Sequence, residues 1–173
     1  MLIAMAGLPG SGKSTIAEGI ARALSAPVVS VDPVESAILQ AGIDSDQPTG
    51  LAAYLVAETI ADAVLRTGPA VIVDAVNAVS PARDQWVGLA RRHRVEVRFV
   101  EVVCSDTELH RRRLEQRQRD LAHLVEPTWH AVEQSLEEYA PWSGEADAAP
   151  RIVLDTVAPL EQLVAEAVAF LRS

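Results

Sequence analysis

The nine residues Gly7-Leu8-Pro9-Gly10-Ser11-Gly12-Lys13-Ser14-Thr15 constrain this chain more than any other stretch. Gly7 and Gly12 bracket four residues, and Lys13 and Ser14 follow at once, which is a phosphate-binding loop pattern without mismatch. The apolar run Leu2–Ala6 before it predicts a short buried strand, and Ser14–Leu24 after it predicts a helix starting near Lys13. Strand, glycine loop and helix are the context the pattern needs. Gly7, Gly10 and Gly12 open backbone conformations closed to other residues, so successive N–H groups, through Ser11 and Thr15, turn toward phosphate oxygens. The helix start aims its positive end at the same anion. Lys13 is placed for the β- and γ-phosphates and Ser14 for Mg²⁺.

The chain has 173 residues, enough for one domain, 1–173, with a substantial core. No apolar run approaches the ~20 residues of a membrane span. The short N-terminal run lacks a basic leader and feeds straight into the glycine loop, so it reads as a strand and not a signal peptide. A lone cysteine, Cys104, excludes an internal disulfide and a cysteine zinc cluster, and a cytoplasmic setting is expected. The formal charge of −9 disfavours nonspecific nucleic-acid binding, which depends on neutralising phosphates.

The remaining chain alternates strands and helices. Strands are predicted at 27–31, 70–73, 95–103 and 152–154, the first half of 95–103 alternating as if one side neared solvent. Helices are predicted at 33–40, 51–66, 80–93, 107–120 and 128–139, with a last one to Leu171. The helix over 51–66 is read from Leu51, Tyr54, Leu55, Ile60, Ala61, Val64 and Leu65. Residues 121–127 read as a mobile stretch. This alternation predicts an α/β fold, a parallel sheet covered on both faces. Ligands then bind beyond the carboxyl ends of the strands, which makes the strand-end acids Asp32, Asp74 and Asp155 candidates near a nucleotide.

Asp32 has three readings: a general base for an attacking hydroxyl, a holder of a magnesium-bound water, or a helix cap. Asp74 follows four apolar residues, the arrangement that delivers an acid to Mg²⁺ or to substrate. Asn77, three residues on, could orient an acceptor or make a local turn. Arg113 and Arg117 lie four apart on one predicted helix face, suited to neutralising charge on a transferred phosphoryl group. Arg111, Arg112 and Arg119 read more as solvated. His110, His123 and His130 lack metal-ligand spacing and read as surface or lid residues. Trp86 reads as packing a helix on the sheet, Trp129 and Trp142 as packing more than as a pocket lining, and Cys104 as inert.

Taken together, the glycine loop at 7–15, Asp32, Val71–Asn77 followed by Arg83, and Arg113–Arg117 resemble the small P-loop kinases related to the kinase domain of polynucleotide kinase and to chloramphenicol phosphotransferase. These are often grouped with AAA-type ATPases. The resemblance spans Met1 to about Asp155. It implies a P-loop three-layer sandwich with a five-stranded parallel sheet in the order 2-3-1-4-5 and a small helical lid at about 113–127. Asp32 would be the general base and Arg117 a lid contact to the nucleotide. Where polynucleotide kinases carry an arginine that holds an acceptor phosphate, this chain has Glu35, a carboxylate that would repel one. The expectation is a Mg²⁺-dependent phosphotransferase from ATP or GTP to a small hydroxylated acceptor, an antibiotic or nucleoside among them, with nucleic acid disfavoured and no membrane association. The alternatives are a regulatory ATPase without acceptor and a polynucleotide or nucleotide kinase.

Overall fold

The structure, a computed structural model, describes residues 1–117, 121 and 123–173. Arg119, and the parts of the predicted 107–120 helix and 113–127 lid that fall on 118–120 and 122, lie outside the described residues. Five strands, β1 (Leu2–Ala6), β2 (Val28–Ser30), β3 (Val71–Asp74), β4 (Val97–Val103) and β5 (Arg151–Asp155), form one parallel sheet in the order β2-β3-β1-β4-β5. This is the order the resemblance implies. The helices are α1 (Lys13–Leu24), α2 (Val31–Gln40), α3 (Thr49–Thr67), α4 (Ser80–His93), α5 (Thr107–Glu115), α6 (Trp129–Glu137) and α7 (Leu160–Arg172).

β1 is buried along its whole length because it has a strand on each side and helices on each face. Successive side chains point to opposite faces, so the run divides between two cores. Leu2 and Ala4 join Val71, Val73 and Phe99 against Trp86 and Leu89 of α4. Ile3 and Met5 join Ile72, Val100 and Val102 against Ile16 and Ile20 of α1 and Leu163 and Leu171 of α7. Parallel register sets Ser30 level with Asp74, so the carboxyl ends of β2 and β3 lie side by side next to the glycine loop.

Four expectations change. β2 stops at Ser30, and α2 takes in Val31, Asp32 and Pro33; proline fits because a first-turn residue has no N–H partner to lose. α5 ends at Glu115, where Gln116 donates to Arg112 O and Arg117 N to Leu114 O. β4 does not near solvent in its first half: Arg98 is buried, its Nε 2.9 Å from Glu96 and its Nη1 donating to Phe170 O and Ser173 at the end of α7. The alternation there marks a polar clasp under α7.

The buried ridge of α3 is Ala53, Ala57, Ala61 and Leu65, while the expected core residues Leu51, Leu55 and Ile60 face out. Small side chains at every fourth position let the helix lie close to the sheet. The larger aliphatics are carried on the far side.

Arg83 of α4 is fully buried and acts as a clasp. Its Nε donates to Asn77 O (2.8 Å) and Nη2 to Ala78 O (3.0 Å), while Nη1 donates to Ala140 O (2.9 Å) and Pro141 O (3.2 Å). The guanidinium also lies 4.2 Å from the Trp142 ring centroid and 4.9 Å from that of Tyr139. It joins the loop after β3 to the chain after α6. Trp142 itself packs edge-on against Phe99, at 5.0 Å between centroids. Replacing Arg83 with Met keeps the stem and strips four carbonyls of their donor, a loss of about 2–4 kcal/mol by urea unfolding. A loss under ~1 kcal/mol would show that water replaces the clasp.

Candidate active site

The glycine loop is fixed at several points, each a consequence of a small or kinked residue. Gly7 has φ 142°, its N–H donates to Val76 O at 3.0 Å, and a Cβ there would lie 2.3 Å from Val102 O. Only glycine fits so close to β4. At the apex, Pro9 O meets Nε2 of His110 at 2.8 Å, and the His110 ring fills the space a side chain at Gly10 would need. A carbonyl is an acceptor only, so His110 donates through Nε2. His110 is buried and stands edge-on to Trp129 at 5.3 Å. This corrects its reading as a surface or lid residue: it joins α5 to the phosphate loop. Leu8, Leu114 and Val132 form a small core beneath the same contact.

Gly12, with φ 95°, is the N-cap of α1, and no side chain caps the helix start. The first N–H groups of α1, those of Lys13, Ser14 and Thr15, therefore face the loop as an anion site. A cavity of about 450 Å³ opens there, lined by Gly10, Gly12, Lys13, Ser14 and Thr15 and walled by Arg113, Arg117, Thr156, Ala158 and Leu160. That volume is in the range of small-molecule sites.

Lys13 is buried, and its Nζ lies 3.9 Å from Asp74 Oδ1. That is an ion-pair distance but too long for a hydrogen bond. Asp74 Oδ2 accepts from Ser30 Oγ at 3.3 Å, while the buried Oδ1 has no hydrogen-bond partner. An orphaned carboxylate oxygen beside the half-buried Ser14 is a hard-oxygen donor set that fits Mg²⁺. Ser11 Oγ, in the loop itself, is also buried without a partner.

The two lid arginines both border the cavity but make different contacts. Arg113 turns toward β5: its Nη1 donates to Thr156 Oγ1 at 2.8 Å and its Nη2 to Thr156 O at 3.0 Å. Thr156 in turn lies 2.8 Å from Ser11 O, completing a path from α5 to the phosphate loop. Arg113 borders the cavity, and these donors hold its Thr156 wall in place. Arg117, past the end of α5, is 3.8 Å from Asp32 Oδ2 and 3.8 Å from Glu126 Oε2. Arg111 pairs with Glu115 at 2.8 Å on the surface, and Arg112 is exposed. Cys104 Sγ is 3.8 Å from Arg113 Nη1, a neighbour the strand alone did not announce.

Asp32 sits in the first turn of α2, partly exposed, beside Asp74. Ser30 is the N-cap of α2 and makes no side-chain cap hydrogen bond, and Asp32 is the acid of its first turn. Glu35, one turn on, accepts from Thr49 Oγ1 at 2.8 Å and joins α2 to the start of α3.

Asn77 is not an acceptor ligand. It is fully buried with φ 50°, its amide donates to Met5 O at 2.7 Å, and its Oδ1 accepts from Trp86 Nε1 at 2.9 Å. Every polar group of that side chain serves to brace the loop after β3. Asp155 is likewise engaged, its Oδ1 accepting from Ser105 N (3.1 Å) and Val157 N (3.2 Å); the Ser105 side chain first, and then these backbone N–H groups, hold its carboxyl below the usual range.

Thr156 and Tyr54 escaped the sequence reading. Thr156 is the residue after the strand-end acid, and no motif marks it. Tyr54 was read as core, yet its hydroxyl accepts from Asn77 N at 3.1 Å. Burial, and then the carboxylates of Asp32 and Asp74, push its phenol pKa up. Tyr54 therefore stays neutral beside the two acids.

The model of the AAA_33 family, described as an AAA domain, matches residues 2–142. A search of curated proteins returned no match. Among solved structures, the chain is similar to a sugar kinase from Janibacter sp. HTCC2649, at 22% identity over 99% of this chain and 94% of that one, with a TM-score of 0.72. It is also similar to a putative kinase from Chloroflexus aurantiacus j-10-fl, at 18% identity over 98% and 97% of the two chains and a TM-score of 0.76. A gluconokinase from Sinorhizobium meliloti 1021 matches at 21% identity over 98% and 90%, with a TM-score of 0.66. At these identities the likeness is one of fold. With the phosphate loop, the strand-end acids and the 2-3-1-4-5 sheet in place, the chain belongs to the AAA_33 family.

Proposed function

We propose that the protein transfers the γ-phosphoryl group of ATP or GTP, with Mg²⁺, to a hydroxyl of a small acceptor carrying no negative charge. The observation that carries this reading is the convergence of two acids on the phosphate loop. Asp74 faces Lys13 with an orphaned oxygen, and Asp32 stands beside it with Arg117 at 3.8 Å. A nucleotide switch needs one acid for the metal; a second at the mouth of the cleft suits a proton acceptor. The similarity to a sugar kinase and a gluconokinase supports the same class of reaction.

In this reading the loop N–H groups and Lys13 hold the triphosphate, and the cavity walled by Arg113 and Thr156 takes the rest of the nucleotide. Ser14 and Asp74 hold Mg²⁺, which when bound neutralises phosphate charge. The acceptor oxygen attacks the γ-phosphorus, the bond to the bridging oxygen breaks, and the nucleoside diphosphate leaves. The acceptor's proton goes to Asp32. Transfer of this kind is loose, so positioning and charge neutralisation dominate, and Arg117 supplies the latter from the segment after α5.

The acceptor's charge follows from the wall that faces it. From residue 23 to 65 the chain has no Lys, Arg or His, and α2 carries Asp32 and Glu35 just past the carboxyl end of β2; Glu58 and Asp62 are set apart, paired with Arg92 and with Arg66 and His93. A phosphorylated acceptor would meet repulsion there, and a nucleic-acid end more so. Neutral or cationic alcohols fit, antibiotics and nucleosides among them. The setting is cytoplasmic in this reading, where the triphosphate is supplied; among the described residues no helix is long and apolar enough to cross a membrane.

Asp32→Asn keeps the size of the side chain and cannot take the proton. The expected result is a fall in kcat on the order of a hundredfold or more, with triphosphate affinity and melting temperature nearly unchanged. Partial restoration by raised Mg²⁺ would instead assign Asp32 to a metal-bound water. Parent-like rates would remove it from the chemistry and leave Asp74 as the next candidate.

Arg117→Ala should lower kcat by roughly ten- to a thousandfold while changing triphosphate affinity less, the signature of a group acting in the transition state. Unchanged turnover would make Arg117 a partner of Asp32 and Glu126 only. Arg113→Ala should instead raise the triphosphate KM more than it lowers kcat, because it holds the Thr156 wall.

A further inference from the structure

The outer face of α3 has no role in the site, yet it is the wrong composition for a solvated surface. Its sheet side is the ridge Ala53, Ala57, Ala61 and Leu65. Its far side presents Leu51 at 61% exposure, Leu55 at 53%, Val56 at 41% and Ile60 at 41%, with Ala52, Thr59 and Ala63 between them. The helix has only three charged residues, Glu58, Asp62 and Arg66, and all lie along one flank. Glu58 meets Arg92 there, and Asp62 meets Arg66 and His93. Apart from that charged flank the helix is apolar on its outer side as well as on its sheet side, the pattern of a helix that is covered on both.

We propose that this face is the two-fold interface of a homodimer, with α3 of one copy packed antiparallel on α3 of the other. Three observations favour a second copy of this chain. The face is self-complementary: a two-fold between Leu55 and Val56 brings Leu55 and Val56 of the two copies together at the axis, as an isologous contact requires, with Leu51 and Ile60 at its two edges. The size also fits. These exposures leave on the order of 400 Å² of apolar surface per copy, the scale of a functional patch, and two copies supply the apolar half of a standard interface of about 1,600 Å².

The local charge fits as well. The flanking acids are matched by Arg66 and Arg92, so two molecules of net charge −9 can meet here without like charges opposed. An anionic membrane finds no basic face on this helix. A groove of about 320 Å³ lined by Leu55, Glu58, Thr59, Asp62 and Arg92 borders this face.

Sedimentation velocity on the full chain between about 1 and 100 µM tests this. The parent is expected at twice the 18.5 kDa of one chain. Leu55→Glu, which sets two carboxylates together at the axis, should sediment as a monomer with an unchanged far-UV CD spectrum. Thr59→Arg, which removes no apolar side chain, should weaken the dimer at least tenfold and serves if Leu55→Glu folds poorly. Val125→Glu, a control at 87% exposure outside the face, should remain dimeric. A parent that stays monomeric at 100 µM overturns the proposal, and so does a dimer that both α3 variants leave intact.

Discussion

The site depends on how the phosphate loop is braced. A loop that turns N–H groups inward at an anion has few left for the internal hydrogen bonds of an ordinary turn; here Ser11 N donates to Leu8 O at 3.1 Å. Its outward groups must be fixed by others. Here Gly7 N is held by Val76 O, Ser11 O by the Thr156 hydroxyl and Pro9 O by His110. Each brace comes from a different crossover connection, so the loop is held from three directions at once. The arginines extend the same frame. Arg113 holds Thr156, and Arg83 holds the loop after β3 to the chain after α6. The groups that touch phosphate are thus preorganised by groups that do not.

Onto that frame the parallel register delivers the acids. Ser30 and Asp74 are level across β2 and β3, and Asp32 follows in the first turn of α2. Ser30 donates to one oxygen of Asp74 and leaves the other bare toward Lys13. Tyr54 and Glu35 tie α3 to the same edge through Asn77 and Thr49. The acceptor wall is therefore connected to the helix whose outer face is the proposed dimer contact, and the two share one rigid element.

The sequence made the phosphate loop, the alternation of strands and helices, and the placing of Asp32 and Asp74 legible, because each depends on local spacing or on the rule that ligands bind at carboxyl ends of strands. What it hid depends on contacts distant in the chain. Asn77 looks like a free polar residue until Met5 and Trp86 are brought to it. His110 looks solvated until Pro9, 101 residues away, is laid over it. Arg98 alternates like a solvent-facing residue and is covered by the end of α7. Arg113 and Arg117 share a helical face only if the helix continues, and it stops at Glu115. In α3 both faces are apolar, so periodicity could not say which one the sheet takes, and the smaller alanines won because they allow the closer approach.

The central claim is that a second acid makes this loop a transferase and not a hydrolase. Phosphorus NMR of ATP and Mg²⁺ incubated with the protein and a panel of uncharged and cationic alcohols addresses it most directly, with Lys13→Ala as the control for phosphate contact. The account predicts a new phosphomonoester signal with at least one alcohol, appearing as ADP forms and absent with Lys13→Ala. Inorganic phosphate as the only product across the panel, at a rate no alcohol changes, would contradict it.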